Sequence, residues 1–282
     1  MSMKAILVPL EQNDYTQSVL TCSHLLAGRF GGHIQGFAFF PMYEVYGFGD
    51  MTPLWVTEGR PSEELAGEAR KVFDRFMRQD FPQQDQPTEA TNAGQVSFSW
   101  LTEADPGDIF VASHARVFDL TVLGRPGYDP SGPRSSTLEA VLFESGRPCL
   151  IAPPTPPRQL GENILIAWNR STETAVAVAH AMPLLHDAKR VTVLTVEGGS
   201  VPGPSGEQLA AGLKLNGIDS QAVTIGPGKR SSGEMILDYA TSIGADLLIK
   251  GAYTQSRLRQ MIFGGATSHI LAKAGLPVFM AR

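Results

Sequence analysis

The chain carries nearly the same segment twice. Residues Asp119 to Ala152 and Asp246 to Ala281 share one order of parts: an Asp opens a short apolar run that ends in Gly, an irregular polar stretch follows, and an amphipathic helical pattern leads through Gly-x-Pro into a second apolar run. A second anchor lies upstream, where Lys4-Ala5-Ile6-Leu7-Val8-Pro9 has its counterpart in Asn163-Ile164-Leu165-Ile166-Ala167-Trp168. A repeat on this scale constrains the architecture before any single element does, because each copy has to build the same unit. The copies differ in their middles: Lys4 to Asp119 spans 115 residues and Asn163 to Asp246 spans 83, so the first carries 32 more.

Strand-like and helix-like stretches alternate between the anchors. Ala5 to Leu10 reads as a strand, Thr16 to Phe30 as a helix with Val19, Cys22, Leu26 and Phe30 on one face, and Ile34 to Phe40 as a strand, with Gly31-Gly32 stopping the helix. Pro41 to Arg60, holding Tyr43, Tyr46, Phe48 and Trp55, has no clean period and reads as a long surface loop that covers part of the first cleft, presents an interaction surface or is a plain insertion. Ser62 to Phe81 follows as a charged amphipathic helix, Gln83 to Gly94 as polar and turn-like, and Val96 to Leu101 as a strand. Asp105-Pro106 supplies an N-cap with proline at the first helical position for a helix over Gly107 to Val117, which feeds the strand Leu120 to Leu123.

The second copy is shorter, with strands at Ile164–Trp168, Val191–Val196, Ser220–Ile225, Leu247–Lys250 and Val278–Ala281. Its helices fall at Glu173–Leu185, Gly206–Asn216, from Gly233 onward, and Ala266–Ala274; Ser231-x-x-Glu234 is a capping box in front of the third. Pro153-Pro154-Thr155-Pro156-Pro157 separates the copies as a short stiff linker.

Apolar strands alternating with helices call for a parallel sheet covered on both faces and joined by right-handed crossovers. The expected fold is α/β: two tandem three-layer αβα sandwiches, each a five-stranded, mainly parallel sheet in the order 3-2-1-4-5, over residues 1–154 and 161–282. In that order Cys149–Ala152 and Val278–Ala281 lie at sheet edges. Exposed apolar edges invite pairing, so these strands are expected to cover one another, or to be covered by a second chain in a homodimer, making the tandem chain pseudo-two-fold.

With 18% charged and 43% apolar residues over 282 positions, the composition is globular, and each copy is long enough to build a core without metal or disulfide staples. A net charge of −5 gives no global attraction to nucleic acid or an anionic membrane. No run of some 18 apolar residues occurs, and Met1-Ser2-Met3-Lys4 leads straight into a strand, so a cytoplasmic protein is expected. Cys22 and Cys149 lie in no metal-binding pattern and read as reduced core residues, and the six histidines show no ligand spacing.

Ligands of such sheets sit at the carboxyl ends of the strands, beside the switch point between the first and fourth. In the second copy those ends carry Trp168-Asn169-Arg170-Ser171 and Gly251-Ala252-Tyr253-Thr254, with Gly264-Gly265-Ala266-Thr267 opening the next helix. Glycines let backbone approach an anion, and a helix N-terminus offers free N–H groups, so phosphate binding is physically reasonable there. The same glycines also serve close packing at a loop–helix junction, Arg257 and Arg259 suit a solvated face, and Trp168 suits packing as well as an adenine platform. Phosphate-loop, nucleophile-elbow and paired-histidine metal motifs are missing, and no efficient enzyme is expected.

In these residues the chain resembles the universal stress protein family, in its tandem two-domain form. The resemblance implies an adenine nucleotide alpha-hydrolase-like fold, and in the second copy a site for ATP, with magnesium. The family's nucleotide-binding motif runs GxxG, nine residues, then Gly followed by Ser or Thr, with an Asp at the end of the first strand. Gly251 and Gly264 match its first and third glycines; Thr254 replaces the second, Gly265 stands where the hydroxyl is expected, Thr267 lies two residues beyond, and Asn169 replaces the Asp. By this resemblance Gly251, Thr254, Gly264, Gly265 and Thr267 would cradle phosphates, and Asn169 would touch the nucleoside. The first copy keeps Gly124-Arg125-Pro126-Gly127 but has Thr137 at the third glycine and Pro9-Leu10-Glu11 at the strand end, which marks its site as degenerate. Three functions follow as expectations: a regulatory stress-response module binding an adenine nucleotide in its second domain, a protein-interaction scaffold for an unknown partner with both sites vestigial, and slow ATP hydrolysis.

Overall fold

Asp246 and Asp119 open the repeated segments because each fastens the start of its copy's first strand. The Asp246 carboxylate accepts the backbone N–H groups of Gly161, Glu162 and Asn163 at 2.9, 3.1 and 3.1 Å and the Gln159 side-chain amide at 2.9 Å. Asp119 does the same for the N–H groups of Lys4 and Ala5 at 2.8 and 3.0 Å. The computed structural model from which these contacts come describes residues 3–40, 43–46, 53–56, 62–80, 96–102, 107–127, 132–252 and 265–282.

The first half runs β1 (Ala5–Leu10), α1 (Thr16–Phe30), β2 (His33–Ala38), β3 (Tyr43–Tyr46), β4 (Pro53–Val56), α2 (Ser62–Asp80), β5 (Ser97–Leu101), α3 (Asp108–His114) with a 3-10 turn at Ala115–Val117, β6 (Leu120–Gly124), α4 (Ser135–Glu144) and β7 (Cys149–Ala152). Gly31 ends α1 in the left-handed conformation, φ 60°, with its N–H on the Ala27 carbonyl. Two boundaries differ from the sequence expectation. β3 and β4 form an antiparallel pair inside what read as a loop, since four-residue strands are too short to show a period. Helix α3 opens at Asp108 with Gly107 at its cap position rather than at the Asp105–Pro106 signal; Asp105, Pro106 and the stretch from Gln83 to Gly94 lie outside the described residues.

The second half runs β8 (Asn163–Ala167), α5 (Thr172–His180), α6 (Met182–His186), β9 (Arg190–Val196), α7 (Gly206–Leu215), β10 (Ser220–Ile225), α8 (Ser232–Ser242), β11 (Leu247–Gly251), α9 (Gly265–Lys273) and β12 (Val278–Ala281). The single helix expected over Glu173–Leu185 is broken at Ala181, because Pro183 sits in the first turn of α6 and has no N–H to continue the ladder of α5.

Each half has the strand order 3-2-1-4-5, parallel throughout. The halves are not separate sheets. β12 pairs antiparallel with β7, matching Val278 to Ile151, Phe279 to Leu150 and Met280 to Cys149, and the result is one ten-stranded sheet in the order β10-β9-β8-β11-β12-β7-β6-β1-β2-β5. The twin sandwiches expected from the repeat are therefore fused along one edge.

The cores follow the sheet across the junction. One face buries Ile6, Val8, Leu26 and Phe73 of the first half together with Ile164, Ile166, Leu184 and Phe279 of the second. The other buries Leu7, Val111, Leu138 and Val141 with Leu165, Leu248, Ile270 and Met280. Arg29 of α1 also crosses between halves: it donates to the Leu160 carbonyl at 2.6 Å and the Asp187 carbonyl at 2.7 Å, and it pairs with the Asp187 carboxylate. Among the described residues no helix is long and apolar enough to cross a membrane.

Candidate functional site

At the carboxyl ends of β8, β9 and β11 the second half encloses a cavity of about 380 Å³. Its wall is built from the strand ends Ala167–Trp168–Asn169 and Lys250–Gly251, from Leu194, Val196 and Gly199 of the β9 side, and from the opening turns of α5, α8 and α9. Four of the six residues singled out from sequence meet here: Asn169, Gly251, Gly265 and Thr267 all line it. Thr254 and Gly264 lie outside the described residues, as do Arg257 and Arg259.

The turn after β8 is tied down by side chains. The Asn169 carboxamide oxygen accepts from the Thr174 hydroxyl at 2.5 Å and from the Ser171 N–H at 3.2 Å, and Ser171 caps α5 by accepting from the Thr174 N–H at 3.2 Å. Arg170 between them is the one non-glycine with a positive φ, 67°, among the described residues. Asn169 thus orders the loop as well as facing the cavity. Trp168 is 4% exposed and donates its indole N–H to the Pro204 carbonyl at 2.9 Å, which fixes the ring as part of the wall.

The two described glycines of the motif have different reasons to be glycine. A Cβ on Gly251 would stand 2.4 Å from the Thr174 backbone nitrogen and 2.6 Å from the Glu173 carbonyl carbon, so α5 can rest on the end of β11 only if this residue has no side chain. Among the described residues a Cβ on Gly265 meets nothing within 4 Å, so their packing does not demand glycine there. Sequence reasoning left packing and ligand contact as alternatives for such residues; packing accounts for Gly251 and leaves Gly265 open.

The strongest electrostatic feature of the cavity was missed from sequence. Lys250, 6% exposed, donates from Nζ to the Gly251 carbonyl at 2.7 Å and to the Thr267 hydroxyl at 2.8 Å. Burial lowers its amine from 10.5 to about 7, with the Cys149 thiol of β7 acting in the opposite direction. The signal was present in the sequence, since a lysine that follows Leu247-Leu248-Ile249 interrupts a buried central strand at its carboxyl end. Ser231 and Ser232 are also on the wall; the sequence marks Ser231 only as a cap, and it does cap α8, with a capping box to Glu234.

Among the described residues no carboxylate lines the cavity, and no cluster of three His, Cys, Asp or Glu could hold a metal ion. The arrangement suits the phosphates of a nucleotide through N–H, hydroxyl and ammonium donors. Magnesium would have to arrive on those phosphates and keep its waters, in the way it is commonly bound.

In the first half the end of the fourth strand is closely packed. A Cβ on Gly124 would lie 2.4 Å from Pro133 Cγ and 3.0 Å from Tyr15 Cβ, so those two side chains press on the end of β6. Thr137, 2% exposed, donates its hydroxyl to the Asp108 carboxylate at 2.6 Å. Burial first, and the Asp108 charge second, push Glu11 up from 4.5 to about 7, against a lowering by Arg134. Glu11 after β1 and Asp108 at the start of α3 thus bring carboxyl groups to this end of the sheet, where the second half has hydroxyl and amine donors.

With the geometry in hand, comparison with known proteins gives a consistent result. Residues 161–282 match the model of the universal stress protein family. A universal stress protein from Archaeoglobus fulgidus DSM 4304 superposes with a TM-score of 0.73 at 15% identity, covering 100% of this chain and 97% of that one. A protein of unknown function from Pseudomonas aeruginosa PAO1 superposes at 0.57 and 13% identity, covering 99% and 92%. At these identities the likeness establishes the fold. Stress response protein NhaX of Bacillus subtilis (strain 168) is 35% identical over 49 residues, a match that spans 17% of this chain and 30% of that protein.

Proposed function

We propose that this chain, whose residues 161–282 match the universal stress protein family, is a stress-response module of that family in the tandem form whose second domain binds an adenine nucleotide, ATP with magnesium. The observation that carries this is the cavity of about 380 Å³ on which Asn169, Gly251, Gly265 and Thr267 converge. Its volume lies within the range of small-molecule sites, about 300–1,000 Å³. It stands at the switch point of an open α/β sheet, where ligands of such folds are bound. The protein acts by binding rather than by catalysis, works in the cytoplasm, and passes its state to a protein partner. Equilibrium titration with ATP and magnesium tests the ligand: saturable binding is expected, and none up to millimolar nucleotide removes that part of the proposal. Phosphate release faster than in buffer would overturn the non-enzymatic part.

A second reading is favoured by two specific observations. Gly251 is explained by packing against α5, and the Asn169 oxygen already serves Thr174 and Ser171. If those roles are the whole story, the chain is an interaction scaffold with both sites vestigial, and in the first domain Pro133 and Tyr15 pack against Gly124. Nucleotide retained through purification would dispose of it.

A further inference from the structure

Among the described residues Lys250 is a buried amine that meets no carboxylate. Among the described residues its hydrogen-bond partners are two neutral oxygens, the Gly251 carbonyl and the Thr267 hydroxyl. An ammonium has three donors, so one remains without an acceptor in the described protein. Burying an unpaired charge is costly, and the fold itself does not require it. The internal repeat supplies the control. One residue before Gly124, where the second half has Lys250 before Gly251, the first half has Leu123; eight residues before the Gly of Gly-x-Pro, where the second half has Thr267, it has Leu138. Both leucines are buried, at 5% and 1% exposure, in a core that extends across the same face of the sheet. The same framework therefore closes well with two apolar side chains, and the second half has a lysine and a threonine there instead.

The surroundings favour an anion. Among the described residues the cavity wall contains Lys250 and no carboxylate. Helices α8 and α9 both begin on it, through Ser231–Ser232 and Gly265, and bring their partial positive charge to the same space. The Thr267 hydroxyl accepts from Lys250 and keeps its own proton to donate.

We infer that Lys250 and Thr267 form the seat for a phosphoryl group inside the second-half cavity, the ammonium supplying the charge and the hydroxyl a directed hydrogen bond. This rests on the reading of the cavity as a nucleotide site, but the seat recognises the phosphoryl chemistry, whether carried on a nucleotide or free as pyrophosphate. A phosphate arriving beside Nζ gives the buried ammonium a counter-charge that the described residues do not supply.

The test is calorimetric titration of the full chain with ATP, pyrophosphate and adenosine, each with magnesium, in wild type, Lys250→Met and Thr267→Val. Wild type is expected to bind ATP and pyrophosphate. Lys250→Met is expected to weaken both by about tenfold or more, the usual scale for losing a hydrogen bond to a charged group, while adenosine is unaffected. Equal affinity for ATP and pyrophosphate in wild type and Lys250→Met overturns the seat and leaves the nucleotide site standing. Lysine-dependent binding of pyrophosphate with no contribution from adenosine supports the seat and removes the adenine nucleotide. Absence of binding by all three ligands overturns both. Should Lys250→Met fail to fold by circular dichroism, Thr267→Val decides: a loss confined to ATP and pyrophosphate supports the seat, and unchanged binding overturns it.

Discussion

Asp246 accepts the N–H of Asn163 at 3.1 Å across 83 residues of chain, and so ties the start of the fourth strand of the second half to the start of the first. Its carboxylate also holds the N–H groups of Gly161 and Glu162 and the Gln159 amide, while Asp246 itself is 9% exposed. Asp246→Ala leaves these donors without an acceptor at the edge of the core, and each such loss costs roughly 1–3 kcal/mol. The expected outcome in urea unfolding is a midpoint well below that of wild type. Asp119→Ala removes only two backbone partners, one of them exposed, and should cost less.

Gly251 and Gly265 separate packing from binding. Gly251→Ala forces a methyl against the backbone of Thr174 and Glu173, which can give way only if α5 moves; overpacking of this kind costs about 1–3 kcal/mol. Gly265→Ala meets open space in the first turn of α9 and should leave stability unchanged or raise it by about 0.4–1 kcal/mol. Thermal unfolding of the two variants side by side checks the contrast. Similar losses from both would show that the space beside Gly265 is not open.

These two pairs show what could be read in the chain beforehand. The repeated Asp marked the fold correctly without its reason being visible, because a carboxylate that clamps a strand start makes contacts 83 and 115 residues away. Strand order followed from alternation and crossover handedness, which are local rules. The break at Pro183 was legible and was overlooked, whereas the β3–β4 pair left no periodic trace. At the site, the strand ends of Asn169 and Gly251 were legible, since the fold places them. Lys250 was not recognised because a lone lysine in an apolar run carries no spacing, and only its burial against Thr267 gives it meaning.

Stability should respond to pH in opposite directions at two buried groups. Lys250 titrates near 7 when folded and at its ordinary 10.5 when unfolded, so the unfolded chain binds more protons in that window and stability rises with pH across it. Its contribution is fully present above 10.5 and is lost as pH falls through about 7. Glu11 titrates near 7 folded and at 4.5 unfolded, beside Asp108 and Arg134. Its contribution is present below 4.5 and is lost as pH rises to about 7. Relative to wild type, Lys250→Met should therefore gain more stability at about pH 6 than at about pH 9, and Glu11→Gln more at about pH 8 than at about pH 4. Denaturant melts at paired pH values check both signs, and a gain independent of pH would show that folding does not shift the group's pKa.

The fused sheet predicts how the two halves unfold. Phe279 of β12 is fully buried, pairs in register with Leu150 of β7, and belongs to a core that includes Ile6 and Phe73 of the other half. Neither half can leave without exposing the edge and the core face of its partner, so wild type should unfold in one cooperative transition despite its two repeats. Phe279→Ala removes a buried aromatic side chain at a cost of about 3–5 kcal/mol, and the loss falls on both halves because the core is shared. Arg29→Ala, which strips the Leu160 and Asp187 carbonyls of their donor across the same junction, should lower the transition by less and keep it single. Fluorescence from Trp100 in the first half and Trp168 in the second can be resolved in a Trp55→Phe background by replacing each with Phe in turn. Coincident curves are expected, and a first-half signal that melts separately in wild type would mean that the β7–β12 seam does not couple the halves.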